Sequence, residues 1–387
     1  MNPYFDHNAT TPLCPAARSA WLEANERLWH NASSLYREAG AARRRLEEAR
    51  EELADWLGCE APERVIFTSG ATEGNQAVMR HAAAQAGGKR VFLSAVEHPS
   101  LREPARREFG PDAVVELPQM ADGVAGVDAL GDESERPAWV SLMAANNETG
   151  VLQPWRQAAA WCRGAGVPFH TDASQWIGKL PCGGMADEVD WITGCAHKFG
   201  GPKGVGFLVI PEEAVGRLRV AVGGPQEGGH RAGTEDLPGI LAMMAALREK
   251  SDAWLEQEHR RWLEEREAFE LALPDRLPGV RVVAPKIERL WNTTMIILPG
   301  SDSNLKWLTR LSDRGFAVST GSACSAGKGA PSRVLAAMGL APEEMGRVLR
   351  LSGGWETTPA DWEALADALV AVAADLAEGR PTVRLGG

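Results

Sequence analysis

Short apolar runs, rich in β-branched and aromatic residues, recur along this 387-residue chain, and polar residues follow each run closely. The runs that begin at Val65, Val91, Ala138 and Phe169 are typical of buried strands. Amphipathic stretches such as residues 155–164 separate the runs and can form the crossovers that parallel strands need. Ligands of open α/β sheets collect at the carboxyl ends of the strands. The pattern therefore predicts an α/β fold with a large, doubly wound, mostly parallel sheet and a site at its polar strand ends.

A glycine-rich turn, residues 194–204, lies between two further strand-like runs and contains Lys198. Small residues allow a bulky ligand to approach the backbone closely. Desolvation among apolar residues can lower the pKa of a lysine amine, and a neutral amine can form an imine with a carbonyl, as in pyridoxal phosphate enzymes. A solvated lysine in a hairpin turn is the alternative explanation.

A second stretch, residues 169–175, predicts a strand that ends in an acid, Asp172. A carboxylate at a strand end can keep a pyridinium nitrogen protonated, which makes the ring an electron sink. Together with Gln175 it forms an Asp-x-x-Gln pair upstream of the lysine turn. The two stretches therefore predict complementary parts of one cofactor site.

These motifs resemble the class V aminotransferase-like branch of the pyridoxal phosphate enzymes, and most of all the group I cysteine desulfurases (NifS/IscS-like). The resemblance extends from about Tyr4 to Thr358. It implies a fold-type I transferase architecture, with a smaller α+β C-terminal domain beside the large sheet domain. It also implies that Lys198 carries pyridoxal 5′-phosphate, that Asp172 stabilises the protonated ring nitrogen, and that Gln175 supports the ring hydroxyl.

Residues 64–74 predict a strand, a tight glycine turn and the start of a helix, where free N–H groups can bind phosphate. Thr68, Ser69 or Thr72 could cap this helix, and an ordinary capped helix is the alternative explanation. The spacing matches neither a Walker loop nor the dinucleotide fingerprint. The resemblance, through a Ser-Gly-Ala-Thr-Glu motif, implies that Ala71 and Thr72 bind the cofactor phosphate.

The resemblance also implies roles for residues at other strand ends. His98 would stack on the ring and shuttle protons, and Asn147 would contact cofactor and substrate, although alone these residues suggest a structural histidine and a polar turn. Cys195 occupies a position at the phosphate where the family usually has serine, and a thiol is a weaker donor than a hydroxyl. His197, Thr72 and Thr234 would then carry more of the phosphate.

Residues 319–329 consist almost entirely of small residues, which predicts a mobile loop. Cys324 lies in this loop near Lys328, and such surroundings favour a reactive thiolate, although an inert loop cysteine is the alternative. The resemblance implies that Cys324 takes sulfur from the substrate. It further implies that Arg350 binds the substrate carboxylate, for which the arginine fork is suited; a surface ion pair is the alternative.

The length predicts two or three domains. We expect a large cofactor-binding domain over residues 1–250, whose N-terminal segment could pack on the small domain. A linking helix over 251–275 and a small domain over 276–387 with the cysteine loop would follow. The glycine-rich residues 223–234 suit a flexible linker, but the resemblance implies a homodimer in which Thr234 touches the phosphate bound by the partner subunit.

The composition restricts the partners and the location of the protein. A net charge of −11 argues against a nucleic-acid-binding surface, and we find neither an apparent signal peptide nor an apolar run of about 18 residues. The six cysteines are scattered without Cys-x-x-Cys pairs, which favours neither zinc nor a disulfide framework. We therefore expect a cytoplasmic protein without a metal site, a membrane span or a nucleic-acid partner.

The predicted function is a pyridoxal-phosphate-dependent cysteine desulfurase, a sulfurtransferase. It would convert L-cysteine to L-alanine and leave a persulfide on Cys324 for a sulfur-acceptor protein, such as an iron–sulfur cluster scaffold or a thiolation enzyme. The alternatives are a selenocysteine lyase or an aminotransferase of the same fold, or a non-enzymatic scaffold. The identity of the acceptor, and whether the tail at residues 380–387 docks a scaffold, stay open.

Overall fold

A computed structural model describes residues 3–131, 136–321 and 332–379. Cys324, Lys328 and the tail at residues 380–387 lie outside the described residues. The strands are β1 Val65–Thr68, β2 Val91–Ser94, β3 Val114–Leu117, β4 Trp139–Ser141, β5 Phe169–Asp172, β6 Trp191–Cys195, β7 Gly206–Val209, β8 Arg281–Val282, β9 Thr293–Ile297 and β10 Val348–Ser352. The α-helices are α1 Pro15–Arg27, α2 Arg37–Leu57, α3 Ala71–Gln85, α4 Pro99–Phe109, α5 Trp155–Ala165, α6 Met185–Glu188, α7 Leu237–Arg248, α8 Asp252–Arg276, α9 Asn304–Asp313, α10 Arg333–Ala337, α11 Pro342–Met345 and α12 Pro359–Ala377.

The first seven strands form one sheet in the order β1-β7-β6-β5-β4-β2-β3. Strands β3, β2, β4, β5 and β6 pair in parallel, whereas β7 is antiparallel to both of its neighbours. Alternate residues of β6 enter two separate cores, since Trp191 packs with α3 and α4 and Ile192 packs with α5 and α7. Helices therefore cover both faces, and the predicted doubly wound, mostly parallel sheet is confirmed.

Strands β8, β9 and β10 form a second, antiparallel sheet in the order β10-β9-β8. Its core receives side chains from α8, α9 and α12. Helix α8 joins the two cores, because Leu255 and Trp262 are buried in the large one and Phe269 in the small one. A helix therefore spans the region predicted to link the domains, while its linking role and the division into domains at residues 250 and 276 stay predictions.

The N-terminal segment runs between the two sheets. Phe5 is fully buried in the small core, and its N–H donates to the carbonyl of Ala317. The N–H of His7 donates to the carbonyl of Ser352 in β10, and that of Thr11 donates to the carbonyl of His197 in the large sheet's lysine turn. The segment therefore connects the small sheet to the turn that carries the predicted active lysine. Among the described residues, no helix is both long and apolar enough to cross a bilayer.

Candidate active site

A cavity of about 440 Å³ lies at the carboxyl ends of the large sheet's strands. Its position follows from the topology, since β1, β5 and β6 each end at the cavity and the segments after β2 and β4 reach it. The structure brings together most of the residues that the sequence predicts for the site. Those that line the cavity are Ala71, Thr72, His98, Asn147, Asp172, Gln175, Cys195, His197 and Lys198.

Lys198 follows β6 in a short 3₁₀ turn, and its amine reaches the N-terminal segment. Its Nζ donates to the carbonyl oxygens of Asn8 (2.5 Å) and Ala9 (2.9 Å). Burial lowers the pKa of the amine, and the positive charge of Arg350 acts in the same direction. Because both hydrogen-bond partners are neutral carbonyls, the amine is held in place while its neutral, nucleophilic form is favoured.

Asp172 and Gln175 line the same cavity as this lysine and are both buried. The two oxygens of Asp172 accept from Asn75 Nδ2 (2.8 Å) and from the N–H of Ser174 (3.0 Å). Gln175 Nε2 donates to the carbonyl of Asn8 (2.9 Å). Both side chains are therefore fixed by hydrogen bonds before any ligand enters.

His98 is the N-cap of α4, and its Nδ1 accepts the N–H of Ser100 (3.1 Å). A neutral imidazole with an accepting Nδ1 carries its proton on Nε2. Burial lowers the pKa of His98, an effect that the positive charge of Lys198 adds to and Asp172 opposes. The cavity is thus supplied with a neutral imidazole in a defined tautomer.

The phosphate-binding end predicted from the sequence is built around the start of α3. The N-cap is Gly70 (φ 148°) and no side chain caps the helix, so the proposed caps Thr68, Ser69 and Thr72 are wrong. The φ of Gly70 is one that residues with a side chain rarely adopt, and a Cβ on Gly206 of β7 would lie 2.6 Å from the Gly70 Cα, so the close approach requires glycine at position 206. The first N–H groups of this 15-residue helix therefore line the cavity with no N-cap side chain bonded to them, and the Cys195 sulfur lies beside the N–H of Ala71.

Cys195 is buried at the end of β6 beside this helix start, and burial raises the pKa of its thiol. The N–H of Ala71 donates to the sulfur, which acts in the opposite direction. His197 hydrogen bonds to Thr10 Oγ1 (3.2 Å) through Nδ1, and burial lowers its pKa to about 4. The two residues thus present a neutral thiol and a neutral imidazole.

Two predicted residues do not line the cavity, and a third lies outside the described residues. Thr234 is exposed in the glycine-rich stretch and does not line the cavity. Arg350 is buried in β10 and binds the Asp6 carboxylate (2.6 Å) and the carbonyls of Asn147 (2.8 Å) and Gly321 (3.1 Å). Cys324 belongs to the undescribed residues 322–331. The carbonyl of Asn147 connects Arg350 to the cavity wall.

Sequence reasoning missed several polar residues behind the cavity wall. Lys179 is fully buried, and its Nζ donates to Asn8 Oδ1 (2.8 Å) and to Gln175 Oε1 (2.5 Å). Burial, with the charge of Lys198, holds its pKa well below the usual lysine range. Glu97 is buried too, and its pKa is raised to about 8 by desolvation. The one sequence signal for Lys179 was that it follows Gln175 by four residues, a spacing at which two side chains on a helical turn can touch.

The site combines a nucleophilic amine, a carboxylate, a neutral imidazole and a free helix N-terminus. Such a set can hold an anionic ligand with a carbonyl and a basic ring nitrogen. Among the described residues, no group of three or more His, Cys, Asp or Glu side chains is arranged to hold a metal ion.

Known proteins resemble this chain over nearly its whole length. The family described as aminotransferase class-V matches residues 3–365. A cysteine desulfurase of Cereibacter sphaeroides is 36% identical over 372 residues, which cover 95% of this chain and 94% of that protein. A solved NifS-like protein is similar with a TM-score of 0.87 and 27% identity, covering 97% of this chain and 100% of its own. A structure described as SspA in complex with cysteine has a TM-score of 0.77 and 27% identity, covering 90% and 98%.

Proposed function

This chain belongs to the aminotransferase class-V family, and from that membership we propose that it is a pyridoxal-phosphate-dependent cysteine desulfurase. The observation that carries the proposal is the meeting of Lys198, Asp172 and His98 in one cavity beside an uncapped helix start. The relatives named above, one of them solved with cysteine, support L-cysteine as the substrate.

The residues present fit the proposed cofactor. The Lys198 amine suits its aldehyde, the Asp172 carboxylate its ring nitrogen, and the Gln175 amide its ring hydroxyl. The free N–H groups at the start of α3 suit its phosphate, with Thr72 and the Cys195 thiol beside them. When bound, the cofactor supplies an electron sink for bonds that break at the substrate's α-carbon.

This chain's own residues would bind, orient and move protons around that cofactor. Asp172 is oriented by its two donors and would keep the ring nitrogen protonated. Lys198, once displaced by the substrate amine, and His98 Nε2 are placed to move protons near the substrate. Burial lowers the pKa of both groups, which shifts each toward the neutral form that can accept a proton.

Arg350 is the proposed anchor for the substrate carboxylate. Its guanidinium already holds the Asp6 carboxylate, and its Nε has no hydrogen-bond partner among the described residues. A substrate carboxylate would therefore replace or share the place of Asp6, as the bidentate arginine fork allows. The Cys324 thiolate would then attack the substrate sulfur; the C–S bond breaks, the persulfide stays on Cys324, and the carbon skeleton takes up a proton and leaves as alanine.

A homodimer and a sulfur acceptor are further parts of the proposal. Trp29 and Leu35 are large and exposed (68% and 95%). Beside them, Ser33 accepts a hydrogen bond from Gln226 of the glycine-rich stretch (3.4 Å) that also contains Thr234. A subunit interface would cover such an apolar patch. The acceptor, such as an iron–sulfur cluster scaffold or a thiolation enzyme, and the cytoplasmic location stay predictions from the sequence.

The proposal is tested by following alanine and bound sulfur in three variants. Wild-type protein incubated with L-cysteine should release alanine and gain one sulfur atom at Cys324, removable by a reductant. Cys324→Ala should still change the cofactor absorbance with cysteine but release almost no alanine. Lys198→Ala should release no alanine, and borohydride should not fix the cofactor to this variant. Cys14→Ala, altered outside the cavity, is the control and should retain activity. Full alanine release by Cys324→Ala, or transfer of the amino group to a keto acid, would contradict the proposal.

A further inference from the structure

A chain of buried hydrogen bonds leads through the large sheet to the Asp172 carboxylate. Ser141 Oγ lies 2.7 Å from His170 Nδ1, and His170 Nε2 lies 3.2 Å from Thr193 Oγ1. Thr193 Oγ1 lies 2.7 Å from Asn75 Oδ1, and Asn75 Nδ2 lies 2.8 Å from Asp172 Oδ2. All the members before Asp172 are fully buried. The contacts cross three neighbouring parallel strands, β4, β5 and β6, and then pass to helix α3.

The chemistry of the groups fixes the direction of every bond. A carboxylate only accepts, so Asn75 must present its amino group to Asp172 and its carbonyl oxygen to Thr193. Thr193 then donates its single hydroxyl proton to Asn75 Oδ1, so Thr193 Oγ1 must accept from His170 Nε2. Burial lowers the pKa of His170 to about 4, so the ring has one N–H at neutral pH and its Nδ1 accepts from Ser141. Every donor thus points toward Asp172.

The same amide of Asn75 also reaches the predicted proton-transfer group. Its Nδ2 lies 3.0 Å from Ser100 Oγ, and that oxygen lies 2.8 Å from His98 Nδ1. Because the Ser100 hydroxyl accepts from Asn75, its own proton is available for Nδ1. This contact, with the Ser100 N–H, leaves the His98 proton on Nε2.

The contact between Asn75 and Thr193 requires helix α3 to pack closely against strand β6. A Cβ on Gly74 would lie 2.8 Å from Thr193 Cγ2, so only glycine lets α3 come this near to β6. Asn75, the next residue, is thereby brought within hydrogen-bond distance of Thr193. The contact between α3 and the sheet thus serves the polar chain as well as the core.

We propose that Asn75 is a positioning residue that orients the Asp172 carboxylate and, through the Ser100 hydroxyl, supports the tautomer of His98, and that the buried chain Ser141–His170–Thr193 fixes the direction of the Asn75 amide. The inference rests on the proposed function in so far as Asp172 and His98 act on the cofactor. Its hydrogen-bond pattern is a property of the folded chain and is measurable independently of any reaction.

The test is nitrogen NMR of the full-chain holoenzyme labelled in its histidines, with four proteins compared. In the wild type, both His170 and His98 should carry their proton on Nε2. Thr193→Val, which keeps the side-chain shape but removes the hydroxyl, should shift the His170 ring signals and speed the exchange of its N–H. Thr193→Ser, which keeps the hydroxyl, should restore the wild-type signals. Thr171→Val removes a buried hydroxyl that donates to Leu142 O (2.8 Å) outside the chain, and should leave both rings unchanged.

A kinetic measurement separates positioning from simple loss of stability. Thr193→Val should lower kcat about tenfold with little change in KM, since misorientation of a reacting group is costly even at a distance, and Thr171→Val should not. A proton on His170 Nδ1, or His170 signals that Thr193→Val leaves unchanged, would overturn the proposal even if alanine is produced. The predicted tautomers in a protein that releases no alanine would instead refute the proposed function and leave the hydrogen-bond assignment standing.

Discussion

The buried ion pair between Arg50 and Glu227 allows a sharp prediction about stability. Arg50 lies in α2, and Glu227 lies in the glycine-rich stretch at residues 223–234. The carboxylate accepts from Arg50 Nη1 (2.7 Å), Arg50 Nη2 (3.0 Å) and the N–H of Phe67 (2.8 Å). Burial alone would lower the pKa of Arg50, but the hydrogen bonds and charge of Glu227 outweigh it and raise the pKa. The change to test is Glu227→Gln, which removes one charge and keeps the size.

The expected loss follows from the burial of the pair. The side chains of Arg50 and Glu227 are only 9% and 1% exposed, so solvent screens their interaction little. Glu227→Gln leaves the buried guanidinium with Glu47 alone, a half-exposed partner 3.1 Å from Arg50 Nε, and breaking a buried pair in this way costs about 3–5 kcal/mol. A matched surface pair, Arg248 with Glu52, is 52% and 36% exposed, and Glu52→Gln should cost at most about 1 kcal/mol.

Urea-induced unfolding, followed by tryptophan fluorescence, measures both free energies under the same conditions. The double variant Arg50→Met with Glu227→Gln should recover part of the loss, because no unpaired charge then remains buried. If Glu227→Gln costs no more than Glu52→Gln, or if the double variant is the less stable of the two, the reasoning about the buried charge is wrong.

Three other predictions follow from single residues. Gly74→Ala should lower the free energy of unfolding in urea by about 1–3 kcal/mol, because its Cβ would meet Thr193. Gly40→Ala in α2, where a Cβ would have no atom within 4 Å, should raise it by about 0.5–1 kcal/mol. Equal effects of the two changes would contradict the close packing of α3. Cys195→Ser should hold the cofactor as tightly or more tightly in dialysis, since a hydroxyl is the better donor, and looser binding would argue against a phosphate contact. The pKa of Glu97 is raised from 4.5 to about 8, so the folded state keeps a proton that the unfolded state loses; the stability of the wild type relative to that of Glu97→Gln should therefore fall by about 5 kcal/mol as pH rises between these values, and parallel stability curves for the two proteins would refute this.

Much of the fold could be predicted from the sequence because its signals are local. The run that ends in Asp172 is β5 with the predicted bounds, and the turn with Lys198 lies between two strands as expected. Both depend on patterns within about ten residues. The cap of α3 was predicted wrongly because the deciding contact, the approach of Gly206 to Gly70, comes from a strand more than 130 residues away.

The supporting polar residues could not be predicted for the same physical reason. Asn75 meets Asp172 across 97 positions, and Lys179 meets Asn8 across 171. No spacing along the chain announces such pairs, since they exist only once the sheet has ordered its strands. The family resemblance predicted which residues contact the cofactor, whereas the residues that orient them could be identified only in the structure.

The N-terminal segment between the two sheets has a consequence for the order of events during protein synthesis. The N–H of Asn8 donates to Ser352 Oγ, 344 positions later, while the carbonyl of Asn8 accepts from Lys198. Domains that form from contiguous chain can fold as they leave the ribosome, but this segment can dock only after β10, which supplies its hydrogen-bond partner, has been synthesised. The Lys198 amine therefore gains its final carbonyl partners only after β10 has been synthesised, and a ribosome stalled before β10 would hold a large sheet without a finished active site.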